Sequence, residues 1–173
     1  MAAHDNLCTH DHDTPAAKEA ERSFESLTFA AQFAIWSVRA WVTALKLDQS
    51  FATVSGDTFR HFDLMPAETA LDELFTLIAH SATRQIDIRC MKCRLVSDDE
   101  TLFQEALTAA QADNTFGAYE ALRQWLPPTA ARFGLGALYR FAHLLAEKQF
   151  RLPTIFVPNA RQTTYQMPSV ALH

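Results

Sequence analysis

The sequence predicts an all-α protein, and three observations support this prediction. Through the segment 24–47, polar side chains together with Phe29 and Trp36 follow steps of three and four residues, which is the period of an α-helix. Residues 97–100, Ser-Asp-Asp-Glu, match a helix capping box. The chain has only four glycines and seven prolines, too few for the many tight turns of a β-sandwich or barrel. We therefore expect about five helices packed around one long central helix at about 16–48.

The central helix is predicted to be apolar around most of its circumference. Its polar stripe includes Gln32 and Arg39, whereas nearly every other residue of 27–45 is apolar. Such a helix must be enclosed by neighbours on most sides. Phe29 and Trp36 interrupt the polar stripe. Either another part of the chain covers them, which is the simpler explanation, or a second copy contacts them in a homodimer.

The segment that follows the central helix contains turn signals and a second helix start. Ser55-Gly56 predicts a turn, and residues 58–62 suit a short helical turn. Asp63 is the expected N-cap of a helix with Pro66 in its first turn. The other predicted helices begin at the capping box, after Asn114 and at Pro128. In chain order, these four helices end at about residues 81, 112, 126 and 149.

Residues 84–96 are expected to form a short irregular or extended connection. Its residues 86–89 alternate in polarity, which suits a short strand that could pair with 154–157. In the last helix, Phe133 is expected in the core. Gly134 and Gly136 are interpreted as sites of close approach to a neighbouring helix, for which the central helix is a candidate; the alternative is a kink. The predicted organisation is a polar His/Asp-rich tail at 1–13, a single helical domain at 14–158 and a surface tail at 159–173.

The composition excludes several classes of partner. The formal net charge of −5 at pH 7 argues against general binding to nucleic acid or anionic lipid. A membrane-spanning helix needs about 20 uncharged apolar residues. Glu25 and Arg39 enclose a shorter segment, so we expect no membrane span. The first residues lack the basic start and apolar centre of a signal peptide, which predicts a cytoplasmic protein.

Four basic residues within 84–94 suggest a small anionic ligand. They are Arg84, Arg89, Lys92 and Arg94, with only Asp87 opposing them in the sequence. The simpler explanation is a solvated connection, since charge alone is weak evidence of a site.

The Cys90-Met-Lys-Cys93 motif is the one candidate for chemistry. Two thiolates at this spacing can supply half of a tetrahedral zinc site, and Cys8 with His10 could complete it. The alternative is a redox-active dithiol. Reactive pairs usually sit at a helix N-terminus, which lowers the thiol pKa, but here the helix starts after both cysteines. The third possibility is a pair of inert packed thiols.

The sequence shows no phosphate-binding loop, nucleophile elbow or metalloprotease motif. We therefore expect a non-catalytic regulatory or adaptor module that acts through protein contacts with a partner or with itself. A zinc-binding or redox-responsive protein that uses Cys90 and Cys93 is the alternative. A small-molecule pocket lined by some of the 13 phenylalanines is a further alternative.

Overall fold

The computed structural model describes residues 22–153, and this part of the chain is all-α. A short 3-10 turn, Phe24–Ser26, precedes the first α-helix. The α-helices are α1 (Phe29–Lys46), α2 (Phe51–Ser55), α3 (Thr58–His61), α4 (Met65–Ser81), α5 (Asp98–Gln111), α6 (Thr115–Arg123) and α7 (Pro128–Glu147). The predicted tails, 1–13 and 159–173, lie outside the described residues.

The first α-helix is shorter than predicted at its start. Residues 22–28 do not continue the helix, which begins at Phe29, and residues 16–21 lie outside the described part. The hydroxyl of Thr28 caps α1 by accepting from the amide of Ala31 at 3.4 Å. Upstream, the Ser26 hydroxyl donates to the Ser23 carbonyl at 2.7 Å. Such local side-chain bonds compete with helix formation.

Helix α1 is nevertheless buried around most of its middle. Ile35, Val38 and Ala40 are fully inaccessible, whereas Phe29 and Leu45 near the two ends are exposed. Its neighbours are α2, α4 and α5. Burial on this scale explains why the segment is apolar on nearly every face.

The last helix packs against α4, α5 and α6, so the neighbour of its glycines is not the central helix that the sequence offered as a candidate. A Cβ added at Gly134 would lie 3.4 Å from side-chain atoms of Leu74, Leu77 and Leu122, so the close approach is to α4 and α6. Gly136 has no close neighbour of this kind, because only the Arg140 side chain lies within reach, at 3.8 Å. Phe133, expected in the core, is 75% exposed.

Several other boundaries can be compared with the sequence. The capping box at Ser97 and Glu100 is confirmed, with both of its hydrogen bonds present. Asp63 is not the N-cap of α4: Leu64 takes that position, and Asp63 has a left-handed backbone with φ 55°. Helix α2 was not predicted; its cap is Ser50, whose hydroxyl accepts from the Thr53 amide at 3.1 Å.

The predicted strand at 86–89 is wrong. Between residues 22 and 153, β-structure is limited to an isolated antiparallel bridge joining Ser23 and Leu95. The backbone amides of Asp87 and Arg89 instead donate to side-chain carboxylates of α5. The proposed partner segment, 154–157, lies outside the described residues.

None of the helices between residues 22 and 153 combines the length and the apolar character needed to cross a membrane.

Candidate functional site

The candidate site is the connection between α4 and α5, residues 82–97, which carries Cys90 and Cys93. The two side chains form a disulfide, and their Cα atoms are 5.3 Å apart, within the usual range for such a bond. The Cys93 amide donates to the Cys90 carbonyl at 3.0 Å, which closes a tight turn. Both cysteines are half-buried, and Lys92 between them is exposed. The disulfide is therefore partly accessible to solvent.

The connection begins at a set of contacts around Trp125. The amide and the hydroxyl of Thr83 donate to the Trp125 carbonyl at 2.8 and 3.1 Å. Arg84 donates to both carboxylate oxygens of Asp99 and, at 3.1 Å, to the Gln124 carbonyl. These bonds attach the start of the connection to the end of α6 and the first turn of α5.

Asp99 accepts hydrogen bonds from three residues. Besides Arg84, the Asp87 amide donates to it at 2.7 Å and the buried Trp125 indole at 2.9 Å. Burial opposes ionisation of Asp99, but the hydrogen bonds from Arg84, the Asp87 amide and Trp125 outweigh it. The pKa of Asp99 therefore lies below its ordinary value. The same contact with Asp99 raises the pKa of Arg84.

Glu100 is the second carboxylate that organises the connection. Arg39 of α1 donates to its two oxygens at 2.7 and 2.8 Å, forming a bidentate ion pair. The amides of Arg89 and Ser97 donate to the same carboxylate at 3.1 and 3.0 Å. The side chains of Arg39 and Glu100 are 1% and 0% exposed, so this ion pair is fully buried.

Arg39 also connects the core to the disulfide turn. Its Nη1 donates to the Cys93 carbonyl at 2.7 Å, and its Nη2 donates to the Leu95 carbonyl at 2.8 Å. The guanidinium lies over the Phe24 ring, 5.0 Å from the ring centre. One buried cation therefore holds both the backbone of a disulfide cysteine and the carboxylate that organises the rest of the connection.

Sequence reasoning missed the roles of Arg39 and Glu100. The sequence places Arg39 on the polar stripe of the central helix and explains Glu100 by capping alone. The capping role is real, but the Glu100 carboxylate also balances Arg39. A single cation in the middle of an otherwise apolar helix was the available signal, since such a charge needs a buried partner.

Most of the basic residues near the disulfide already have acidic neighbours. Arg84 pairs with Asp99. Arg89 lies 3.4 Å from Asp87, and Arg94 lies 3.9 Å from Glu25. Arg84 and Arg89 therefore have close acidic partners, whereas Lys92 and Arg94 are exposed, and the small anionic ligand stays a prediction.

The zinc prediction is also untested. Between residues 22 and 153, no group of three or more His, Cys, Asp or Glu side chains is arranged to hold a metal ion. Cys8 and His10, the proposed third and fourth ligands, lie outside the described residues. Zinc binding would also require reduction of the Cys90–Cys93 disulfide, because zinc is held by thiolates.

Phe29 and Trp36, the predicted interface residues, have different surroundings. Trp36 is half-buried and packs against Phe33 and Phe59, with ring centres 5.8 and 6.3 Å apart. Phe29 contacts the Phe62 ring yet remains 61% exposed. Cover by the same chain thus accounts for Trp36 better than for Phe29, and the homodimer stays a prediction.

Comparison with known proteins adds no functional information, since no family model, curated protein or solved structure matches this chain.

Proposed function

We propose that this protein is a non-catalytic regulatory protein that responds to the thiol redox state through the Cys90–Cys93 pair. The observation that supports this proposal is the bond from the buried Arg39 guanidinium to the Cys93 carbonyl. It connects the backbone of one half-buried disulfide cysteine to an ion pair in the core. The reducing cytoplasm, where disulfides are usually transient or redox-sensing, is the location this function implies.

The chemistry is thiol–disulfide exchange with an external thiol. A thiolate attacks one sulfur of the pair, a mixed disulfide forms, and the other cysteine leaves as a thiolate. A second external thiol then displaces the remaining cysteine. Two thiols of the reductant supply two electrons and two protons and become a disulfide, while Cys90 and Cys93 become a dithiol. An external disulfide drives the reverse reaction.

Reduction is expected to loosen the turn without unfolding the protein. The cysteines are three residues apart, and closing so short a loop contributes only about 2 kcal/mol in the chain-entropy description. The Arg39–Glu100 ion pair and the helical core do not depend on the disulfide for their contacts. The altered surface around residues 90–93 would then gain or lose a protein partner.

The test is a redox titration of the Cys8→Ser variant, in which only the Cys90–Cys93 pair can exchange. Thiols are counted by alkylation and mass measurement across a series of glutathione buffers. We expect one two-thiol step between about −180 and −300 mV, the range of exchanging protein disulfides. A midpoint below about −300 mV would mark a purely structural disulfide and would contradict the proposal. The Cys8→Ser/Cys93→Ser variant is the control and should form only a mixed disulfide.

A second candidate function is protein contact through the exposed face of Phe29. Its ring extends an aromatic cluster, since it lies 5.8 Å from the Phe62 ring and 5.4 Å from the Phe150 ring. A second copy or an adaptor partner could cover it. Sedimentation equilibrium at tens of micromolar tests the homodimer: we expect a dimer that the Phe29→Ser variant weakens. Monomers of the unmodified protein would exclude the homodimer.

A further inference from the structure

The disulfide lies in a locally basic segment of an acidic protein. The chain carries a formal net charge of −5 at pH 7, yet Arg89, Lys92 and Arg94 all lie within one or two residues of a disulfide cysteine. The two carboxylates buried beneath the connection, Asp99 and Glu100, are each paired with an arginine. Their negative charges therefore contribute little to the electrostatic potential at the disulfide.

Two of these cations face solvent. Lys92 is exposed in the turn between the two cysteines. The Arg94 side chain is 85% exposed, and its contact with Glu25 is a long one of 3.9 Å between two exposed groups. Pairs of this kind contribute little and open easily in water. Arg89 differs, because its side chain is only 18% exposed and lies 3.4 Å from Asp87.

We infer that the exchange partner of Cys90–Cys93 is a small anionic thiol, of the chemical class of glutathione, which Lys92 and Arg94 attract. This inference rests on the proposed function and names the reductant. The attacking thiolate forms a bond to one cysteine sulfur, and the other sulfur leaves as a thiolate. Carboxylates elsewhere on the reductant are drawn to the same cations and raise the rate of encounter.

The expected size of the effect is modest. Two cations at about 7 Å from a carboxylate in water, screened by a Debye length of about 8 Å, change the rate by roughly twofold for a reductant that differs by one charge and by roughly fivefold at most for two charges, so a threefold change lies between these bounds. We expect no larger change in the rate constant from exposed cations in water, but a threefold change in a ratio of rate constants is measurable.

The experiment compares glutathione with its diethyl ester, which keeps the thiol but blocks both carboxylates. Rate constants for reduction of the Cys8→Ser protein are measured with each, and their ratio removes the intrinsic reactivity of the disulfide. In the Lys92→Gln/Arg94→Gln variant we expect this ratio to fall about threefold. High salt should also lower this ratio in the parent protein, because it screens the two cations.

The charge-matched control is the Lys46→Gln/Arg132→Gln variant, which removes two exposed cations from α1 and α7. It should leave the ratio unchanged. An unchanged ratio in the Lys92→Gln/Arg94→Gln variant, or an equal fall in the control, overturns the inference while leaving the redox function intact. A parent disulfide that neither thiol reduces overturns both.

Discussion

Replacing Arg39 with methionine is the sharpest test of the buried ion pair. Methionine retains much of the apolar stem but removes every donor of the guanidinium. Glu100 would keep only the backbone amides of Arg89 and Ser97 as partners. The carbonyl of Cys93 would lose the bond it accepts from Nη1 at 2.7 Å.

The magnitude follows from the burial of both partners, which are 1% and 0% exposed. Removing one member of a buried ion pair costs about 3–5 kcal/mol, because a charge is left uncompensated. The carbonyls of Cys93 and Leu95 add about 1 kcal/mol each, and water entering the part-buried connection offsets some of this loss. We expect Arg39→Met to lower the free energy of unfolding by about 4 kcal/mol, a large share of a typical domain's stability.

The assay is urea unfolding followed by circular dichroism near neutral pH. The matched control is Arg60→Met, which breaks an exposed pair with Asp57 and should cost less than about 0.5 kcal/mol. Adding Glu100→Gln to Arg39→Met removes the uncompensated carboxylate charge and should recover about 2 kcal/mol of the lost free energy of unfolding. If Arg39→Met cost less than about 1 kcal/mol, the claim of a buried, mutually dependent ion pair would be refuted.

Three further predictions use the same unfolding measurement. Gly136→Ala should raise the free energy of unfolding by about 0.5–1 kcal/mol, since the added Cβ has room and alanine favours helix. Gly134→Ala should raise it less, because side-chain atoms of three leucines lie 3.4 Å from the added Cβ. Equal increases in the two variants would contradict this packing. Asp99→Asn should destabilise near neutral pH. Because the folded pKa of Asp99 is depressed, its stabilisation is complete above the ordinary carboxyl pKa and is lost as pH falls through the folded pKa. The two proteins should therefore begin to converge only as the pH falls below about 4, and a constant difference would argue against the assignment. Trp125→Phe should lower the free energy of unfolding by about 1–2 kcal/mol, because Asp99 loses the indole donor. An unchanged free energy of unfolding would show that this contact does not stabilise the protein.

Several elements could be found from the sequence because their signals are local. The capping box is made by Ser97 and Glu100, only three residues apart. Pro128 begins α7, as expected from residue preferences at helix starts. Asn114, after which the sequence predicts a helix, caps α6. The spacing of Cys90 and Cys93 likewise singled out the candidate site. In each case the interacting groups lie within one turn of chain.

The errors arose where distant residues take the hydrogen bonds. The helical period continues upstream of Phe29, yet the Phe24 amide donates to the Arg94 carbonyl at 2.7 Å, and the Arg22 carbonyl accepts from Val96 at 3.0 Å. Those partners lie about 70 residues away in sequence, so local periodicity could not reveal them. Residues 86–89 alternate like a strand, but carboxylates of α5 occupy two of their amides.

By itself, the sequence determined the helical class, the positions of most helices and the presence of a closely spaced cysteine pair, because these depend on neighbours along the chain. Only the tertiary structure decided that Arg39 is buried against Glu100 and holds the Cys93 carbonyl. Long-range contacts of this kind follow from how the helices pack, since burial away from water is what forces a charged side chain to find its partner.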